Sequence, residues 1–108
     1  MSTYSLGEFE EIVLLTVAIL HGKAYTLSLI EEIEGRLQRQ VSIGAVQTVL
    51  RRLEEKDMVS SEFGEATKVR GGKRKRYFTI TALGQQVLNL IRDQRNALWN
   101  DIPQLSLA

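Results

Sequence analysis

The cations that could bind an anionic partner are concentrated in one stretch of this sequence, "RGGKRKRYFTIT", which covers residues 70–81. Two glycines precede Lys73, Arg74, Lys75 and Arg76, and an alternation of aromatic, hydroxyl and apolar residues follows them. Lys and Arg side chains neutralise phosphates, and glycines let a loop turn tightly and approach a surface closely. The alternative interpretation of the same run is a solvated loop without a partner.

A second group of polar side chains lies upstream, in "SIGAVQTVLRRLEEKD". At helical spacing Ile43, Val46, Val49, Leu50 and Leu53 face inward, which leaves outward Gly44, Gln47, Thr48, Arg51 and Arg52. A Gln amide can read adenine through two hydrogen bonds, and a glycine without a side chain lets a helix sit close to a groove floor. The two arginines either contact bases and phosphates or pair with Glu54 and Glu55 on the helix surface.

Other chemistry is not expected from the residue inventory. The sequence has no cysteine and one histidine, His21, so a metal cluster lacks its usual ligands. We find no nucleophile–base pair and no phosphate-binding glycine loop after a parallel strand. We therefore predict a protein that is not an enzyme, with no cofactor and no metal, and interpret His21 as a helix-end residue.

The small net charge of +1 hides an uneven distribution. Residues 1–41 hold three cations and six acids, residues 42–81 hold nine cations and five acids, and residues 82–108 hold two of each. This asymmetry points to an anionic partner for the middle segment. The start of the chain does not resemble a signal peptide, and the longest apolar run, residues 12–20, is too short to cross a bilayer, so we expect a cytoplasmic protein without a membrane partner.

The length of 108 residues suits one domain, and the periodicity predicts its elements. We expect a first helix from a Ser5–Glu8 capping box, a second over residues 26–39, a third over residues 42–56 with Ser42 as N-cap, and a last helix from Thr81 to about residue 99. Residues 58–65 and 75–81 alternate as two strands. The predicted class is mostly α with a small β-hairpin (α+β), in a winged helix-turn-helix arrangement whose wing spans about residues 66–77.

With these elements in place, the chain resembles a PadR-like winged-helix transcriptional regulator of the small subgroup with one C-terminal helix. The resemblance is carried by "LGEFEEIVLLTVAIL", "GKAYTLSLIEEIE", "VSIGAVQTVLRRLEEKDMV" and "GGKRKRYFTITALG", in that order. It implies a homodimeric repressor that binds a pseudo-palindromic operator in double-stranded DNA. Residues 1–81 would form the DNA-binding domain, and residues 82–108 the dimerisation helix.

The resemblance and the outward residues together give candidate site residues. The base-facing candidates are Gly44, Gln47, Thr48 and Arg51. The backbone-contacting candidates are Tyr25, Ser42, Arg52, Lys73, Arg74, Lys75 and Arg76. The family often has an aromatic residue at Gln47 and a glycine at Thr26, so we expect a changed operator rather than an absence of binding.

The first helix is apolar on more sides than a monomer needs, which agrees with the dimer that the resemblance implies. The predicted dimer contacts are Phe9, Leu14, Val17, Leu88, Leu98 and Trp99. Trp99 either borders a pocket for a small aromatic effector between subunits, as in some members of the family, or only packs the dimer. The alternative function is a winged-helix protein–protein interaction module that does not bind DNA.

Overall fold

The computed structural model describes residues 5–64 and 74–104 and confirms the predicted class and order of elements. In chain order the elements are α1 (Glu8–Ile19), α2 (Thr26–Leu37), α3 (Ile43–Glu55), β1 (Val59–Phe63), β2 (Arg76–Ile80) and α4 (Ala82–Asn100). The predicted phosphate contact Lys73 and the two glycines before it lie outside the described residues.

Side-chain caps set the starts of the helices. The Ser42 hydroxyl accepts a hydrogen bond from the Ala45 amide at 3.1 Å, and the Thr81 hydroxyl accepts one from the Gly84 amide at 3.0 Å, so both predicted caps are confirmed. The predicted Ser5–Glu8 capping box is wrong. The N-cap is Gly7, two residues after the predicted Ser5, and its amide donates to the Glu10 carboxylate at 2.9 Å. Helix α1 therefore begins at Glu8.

Helix α2 ends two residues earlier than predicted. Gln38 adopts a left-handed conformation, with φ of 52°, and its amide donates to the Glu34 carbonyl oxygen at 3.0 Å. The chain then turns towards α3, and the Glu34 carboxylate accepts a hydrogen bond from the Val41 amide at 3.0 Å.

The core lies among α1, α2, α3, the hairpin and the first turns of α4, and it includes three residues that were predicted to contact a second subunit. Leu14, Val17 and Leu88 are exposed by 0%, 1% and 7%, so the prediction is corrected: their surface is covered within this chain. The physical reason is that α1 packs against α2, α3, β2 and α4 at once, and more of its circumference is buried than a single stripe would require.

The hairpin is antiparallel, with Ser61 opposite Phe78 and Phe63 opposite Arg76. Its second edge is also bonded: the Phe78 amide donates to the Ala24 carbonyl oxygen at 2.8 Å, in the turn between α1 and α2. This bridge was not predicted. It anchors the base of the hairpin beside the start of α2.

The acidic first turn of α1 is paired with cations from the other three helices or their ends. Arg39 donates to Glu8 at 2.9 Å, Lys56 to Glu10 at 3.2 Å and Arg95 to Glu11 at 2.8 Å. These pairs join the ends of α2 and α3 and the middle of α4 to one helix end.

Helix α4 leaves the body of the molecule after its first turns. Its buried residues, Gly84, Val87 and Leu88, all lie near its start, whereas residues 92–100 are exposed throughout. Within the described residues, no helix has the length and apolar character needed to span a membrane.

Candidate nucleic-acid interface

Helix α3 is amphipathic, and of the residues predicted to face inward all but Ile43 are buried. Val46, Val49, Leu50 and Leu53 are buried against the core. On the other side Gly44, Gln47, Arg51 and Arg52 are exposed and Thr48 is half-buried. A Cβ atom added to Gly44 would meet nothing within 4 Å, so the backbone at this position faces open space.

The four predicted base-facing residues share one groove. A cavity of about 530 Å³ opens between α3, the start of α2 and strand β2. Its lining residues are Thr26, Gly44, Gln47, Thr48, Leu50, Arg51, Glu54, Arg76 and Phe78. The structure therefore brings Gly44, Gln47, Thr48 and Arg51 together, and it adds Thr26 from α2.

The arginines of α3 do not use the acids of their own helix. Across residues 5–64 and 74–104, neither Arg51 nor Arg52 forms an ion pair. The nearest acid in sequence, Glu54, pairs with Arg76 instead, at 2.8 Å. The alternative interpretation of Arg51 and Arg52 as helix-surface ion pairs is therefore not supported by the geometry.

Lys75, which directly precedes strand β2, lies beside the start of α2. Lys75 Nζ is 4.4 Å from the centroid of the Tyr25 ring and donates to the Tyr25 hydroxyl at 3.4 Å. The rings of Tyr25 and Tyr77 meet edge to face, with centroids 5.6 Å apart. Arg74 is exposed. The structure thus places Tyr25 and Lys75 together, while Arg74 stands one residue before Lys75 on the same approach.

Arg76 differs from the other predicted backbone contacts. Its guanidinium donates to the Glu54 carboxylate at 2.8 Å and to the Ser61 hydroxyl at 2.9 Å, so this predicted phosphate contact already has partners within the chain, while its side chain is 49% exposed. The reason is the pairing register, because Arg76 lies on the face of the hairpin that carries Phe78 and turns towards α3. Ser42, by contrast, keeps its place at the outer end of α3, where its hydroxyl is the N-cap.

Two exposed apolar residues near the interface were missed. Ile43 was expected to face inward but is 51% exposed, because the first residue of α3 stands before the core begins. Phe63 is 63% exposed and carries the Arg76 guanidinium 5.9 Å from its ring centroid. Their exposure could have been predicted from their positions, because Ile43 is the first residue of α3 and Phe63 is the last of β1.

The opposite side of the molecule presents an apolar surface on α1 and α4. The exposed residues there are Leu15, Ile19, Leu98 and Trp99. Leu15, Ile19 and Trp99 line a groove of about 570 Å³ between the two helices, and its floor includes Leu88. Phe9 is half-buried, with the Arg39 guanidinium 5.4 Å from its ring centroid. Leu98 and Trp99 are exposed, and on α1 the exposed apolar residues are Leu15 and Ile19, not Leu14 and Val17.

Residues 14–90 match the family model described as "Transcriptional regulator PadR-like family". The fold is similar to a PadR-like transcription factor from Bacteroides fragilis, with a TM-score of 0.72 and 25% identity over 85% of this chain and 84% of that one. A PadR family regulator from Clostridium difficile has a TM-score of 0.70 at 17% identity, over 85% and 92% of the two chains. One from Eggerthella lenta has a TM-score of 0.67 at 23% identity, over 86% and 80%. No curated protein matches the sequence.

Proposed function

Because the chain belongs to the PadR-like family of transcriptional regulators, we propose that it is a homodimeric repressor that binds a specific DNA operator. Helix α3 enters the major groove and the hairpin lies along the sugar–phosphate backbone, as the wing. Residues 1–81 form the DNA-binding domain, and residues 82–108 carry the dimerisation helix.

The observation that carries this proposal is the groove beside α3. Exposed Gln47 and Arg51 stand in it next to the bare backbone of Gly44, and they come from one face of a helix whose other face is core. Gln and Arg side chains make the two-pronged contacts that distinguish adenine and guanine in the major groove. A helix that recognises bases needs cationic and polar side chains that face open space.

The phosphate contacts come from both sides of this groove. Arg52 on α3 and Arg74 and Lys75 before β2 are exposed cations. Tyr25 holds Lys75 in place and offers its hydroxyl beside it. Ser42 accepts from the Ala45 amide and retains its own O–H as a donor for a phosphate oxygen. Lys73 remains part of the proposed wing contact.

The dimer is proposed from the unburied half of α4 and its neighbour α1. Leu98 and Trp99 are 71% and 72% exposed, and Leu15 and Ile19 on α1 are 43% and 50% exposed. Two copies that cover these residues would place two α3 helices on one duplex. Consecutive half-sites one helical turn apart require a separation of about 34 Å between the two helices.

An aromatic effector is proposed for the groove that Trp99 lines. The groove of about 570 Å³ has an apolar wall of Leu15, Ile19 and Trp99, so a flat ring can stack there. Trp99 is the single tryptophan, and its fluorescence reports on this site alone. Binding of a planar dye should quench that emission and weaken the complex with DNA. Unchanged emission at saturating dye would leave Trp99 with a packing role only.

Selection from a random pool of duplexes tests the proposed function. The protein should enrich a pseudo-palindrome within a few rounds, and that sequence, placed beside a promoter, should lower transcription when the protein is present. A pool that stays random would contradict sequence-specific binding. Failure to bind any duplex would favour the protein–protein interaction module.

A further inference from the structure

Three side chains from three elements form a closed ring of hydrogen bonds at the junction of α3 and the hairpin. Arg76 on β2 donates to Glu54 at 2.8 Å and to Ser61 at 2.9 Å. Ser61 on β1 in turn donates to the other carboxylate oxygen of Glu54 at 2.6 Å. We call Glu54, Ser61 and Arg76 the wing clamp.

The arginine of the wing clamp is also held from its own sheet face. Its guanidinium carbon lies 5.5 Å from the ring centroid of Phe78 and 5.9 Å from that of Phe63, within the range of cation–π attraction. Phe78 is buried at 6% exposure, so the guanidinium rests against the edge of the core. An isolated exposed ion pair contributes little, whereas a pair within such a network has a defined geometry.

The acid of the wing clamp stands on the DNA-reading side of α3. Glu54 lines the same groove as Gln47 and Arg51, which lie seven and three positions before it. A free carboxylate there would repel phosphates, and at a spacing of three residues it would compete for Arg51. Ser61 and Arg76 each bond one of its oxygens, and Arg51 forms no ion pair with Glu54 or with any other described residue.

We propose that the wing clamp fixes the hairpin against the recognition helix, and that Arg76 is a positioning residue that acts through Glu54 rather than a phosphate contact. This inference rests on the proposed function. Both Arg76 and Arg74, two positions earlier, are exposed, but Arg74 forms no hydrogen bond or ion pair with any described residue. The contribution of Arg76 to DNA affinity therefore depends on Glu54, and that of Arg74 does not.

A double-mutant cycle on the full chain tests the dependence. Arg76→Gln is measured in the unmodified protein and in Glu54→Gln, against the duplex obtained by selection. We expect affinity to fall about tenfold in the first background and less than about twofold in the second, since the partner is already neutral. Arg74→Gln is the matched control, and it should weaken binding by the same factor in both backgrounds.

The salt dependence separates positioning from direct phosphate binding. Removing one phosphate-binding cation from each protomer lowers the slope of log K against log salt by about 0.9 for each phosphate that is no longer neutralised. In the Glu54→Gln background, Arg76→Gln should leave the slope unchanged, and Arg74→Gln should lower it. Arg76→Lys retains the charge but lacks the planar fork that places Nε on Ser61 and an Nη atom on Glu54, so its affinity should fall nearly as far as that of Arg76→Gln. Circular dichroism of each variant confirms that it is folded.

The inference would be overturned if Arg76→Gln lowered the affinity equally in both backgrounds, or if Arg76→Lys bound DNA with the affinity of the unmodified protein. Either result would make Arg76 a direct phosphate ligand. Unchanged affinity in both backgrounds would overturn the inference as well. If the unmodified protein binds no duplex, the proposed function has failed. If it binds and the effects of Arg76 and Glu54 are additive, only the wing clamp has failed.

Discussion

At the scale of single residues, Gln47 is the position on which sequence choice is expected to depend most. It is exposed in the groove beside Gly44 and Arg51. Gln47→Ala should reduce the preference for the selected operator by about 1–3 kcal/mol at one base position, because alanine cannot form the two hydrogen bonds to the base. Competition titrations with operator variants measure this. Binding to random duplex should hardly change.

The matched control for Gln47 is Arg52→Ala on the same helix. Arg52 is exposed but does not line the groove, and we assign it to the phosphates. Its removal should weaken binding to operator and random duplex alike. If Gln47→Ala behaves in the same way as Arg52→Ala, then Gln47 positions the helix and does not read a base.

A second residue-scale prediction concerns acid stability and Glu10. Burial of this carboxylate raises its pKa, but the Gly7 amide, the Lys56 ammonium and the nearby charge of Arg52 together outweigh that effect, so the pKa lies below its ordinary value of 4.5. A group with a lowered pKa stabilises the fold above the unfolded pKa, and this contribution disappears as pH falls through the folded pKa.

Glu10→Gln should therefore unfold more easily at pH 7, by up to about 1 kcal/mol, because the ion pair with Lys56 is lost while the glutamine amide oxygen can still accept from the Gly7 amide. The difference from the unmodified protein should shrink as the pH is lowered below 4.5. Urea unfolding at several pH values measures it. A difference that stays constant down to about pH 3 would show that the charge of Glu10 has no part in its contribution.

Local residue signals were readable from the sequence, and distant ones were not. Ser42 and Thr81 were predicted as caps because a hydroxyl before an apolar-periodic run satisfies amides three residues on. The partner of Arg76 is 22 residues away in sequence, and the strand register decides that they meet. Nothing in the run of four cations distinguishes Arg76, which the fold pairs with Glu54 and Ser61.

At the scale of elements, Gly84, at the junction between the hairpin and α4, is the described glycine with the least space for an added Cβ atom. A Cβ atom on Gly84 would overlap the Met58 carbonyl oxygen and approach Ile80 Cγ1 to 2.8 Å. Gly84→Ala should destabilise the protein by about 1–3 kcal/mol, because backbone must shift to admit the methyl group. Urea unfolding measures the change.

Gly35 supplies the opposite case and is the control for Gly84. It lies inside α2 with nothing within 4 Å of an added Cβ. Gly35→Ala should stabilise the protein by about 0.5–1 kcal/mol through helix propensity and a less flexible unfolded chain. If both alanine variants shift stability in the same direction, local packing at Gly84 is not the determining factor.

The order of the elements was predictable from the sequence, whereas the buried face of each helix and the residues at which it ends were less predictable. Helical spacing predicts one buried face of α2 with Leu27, Ile30, Ile33 and Leu37, yet Leu27 and Leu37 are 52% and 46% exposed and Leu29 is buried. The reason is that α2 is covered by both α1 and α3, and which residues are buried depends on where its two neighbours cross it. The Ala24–Phe78 bridge has no sequence pattern at all, since it needs only two backbone groups.

At the scale of the whole molecule, the exposed end of α4 predicts self-association. A Leu98→Glu, Trp99→Glu variant should sediment as a monomer at micromolar concentration and bind the operator at least about tenfold more weakly, because charge would be buried in an apolar contact. Leu90→Glu is the control on the same helix. Leu90 is 46% exposed and does not line the groove between α1 and α4.

Leu88→Glu is not a usable test of the dimer, because Leu88 belongs to the core of this chain. The informative comparison is between the double variant and Leu90→Glu. Retention of the dimer by the double variant would remove the far end of α4 from the interface. A monomeric unmodified protein with tight operator binding would contradict the dimer altogether.

The most direct test of the proposed function is the salt dependence of duplex binding by the unmodified protein. A dimer that neutralises about 6–10 phosphates should bind roughly 10³–10⁵ more weakly at about 200 mM than at about 50 mM salt, with log K linear in log salt. Replacing Arg74 and Lys75 by alanine should make that slope shallower. Binding that changes by less than about tenfold over this range, or no binding at about 50 mM salt, would contradict the proposal that the protein acts on the DNA backbone through α3 and the hairpin.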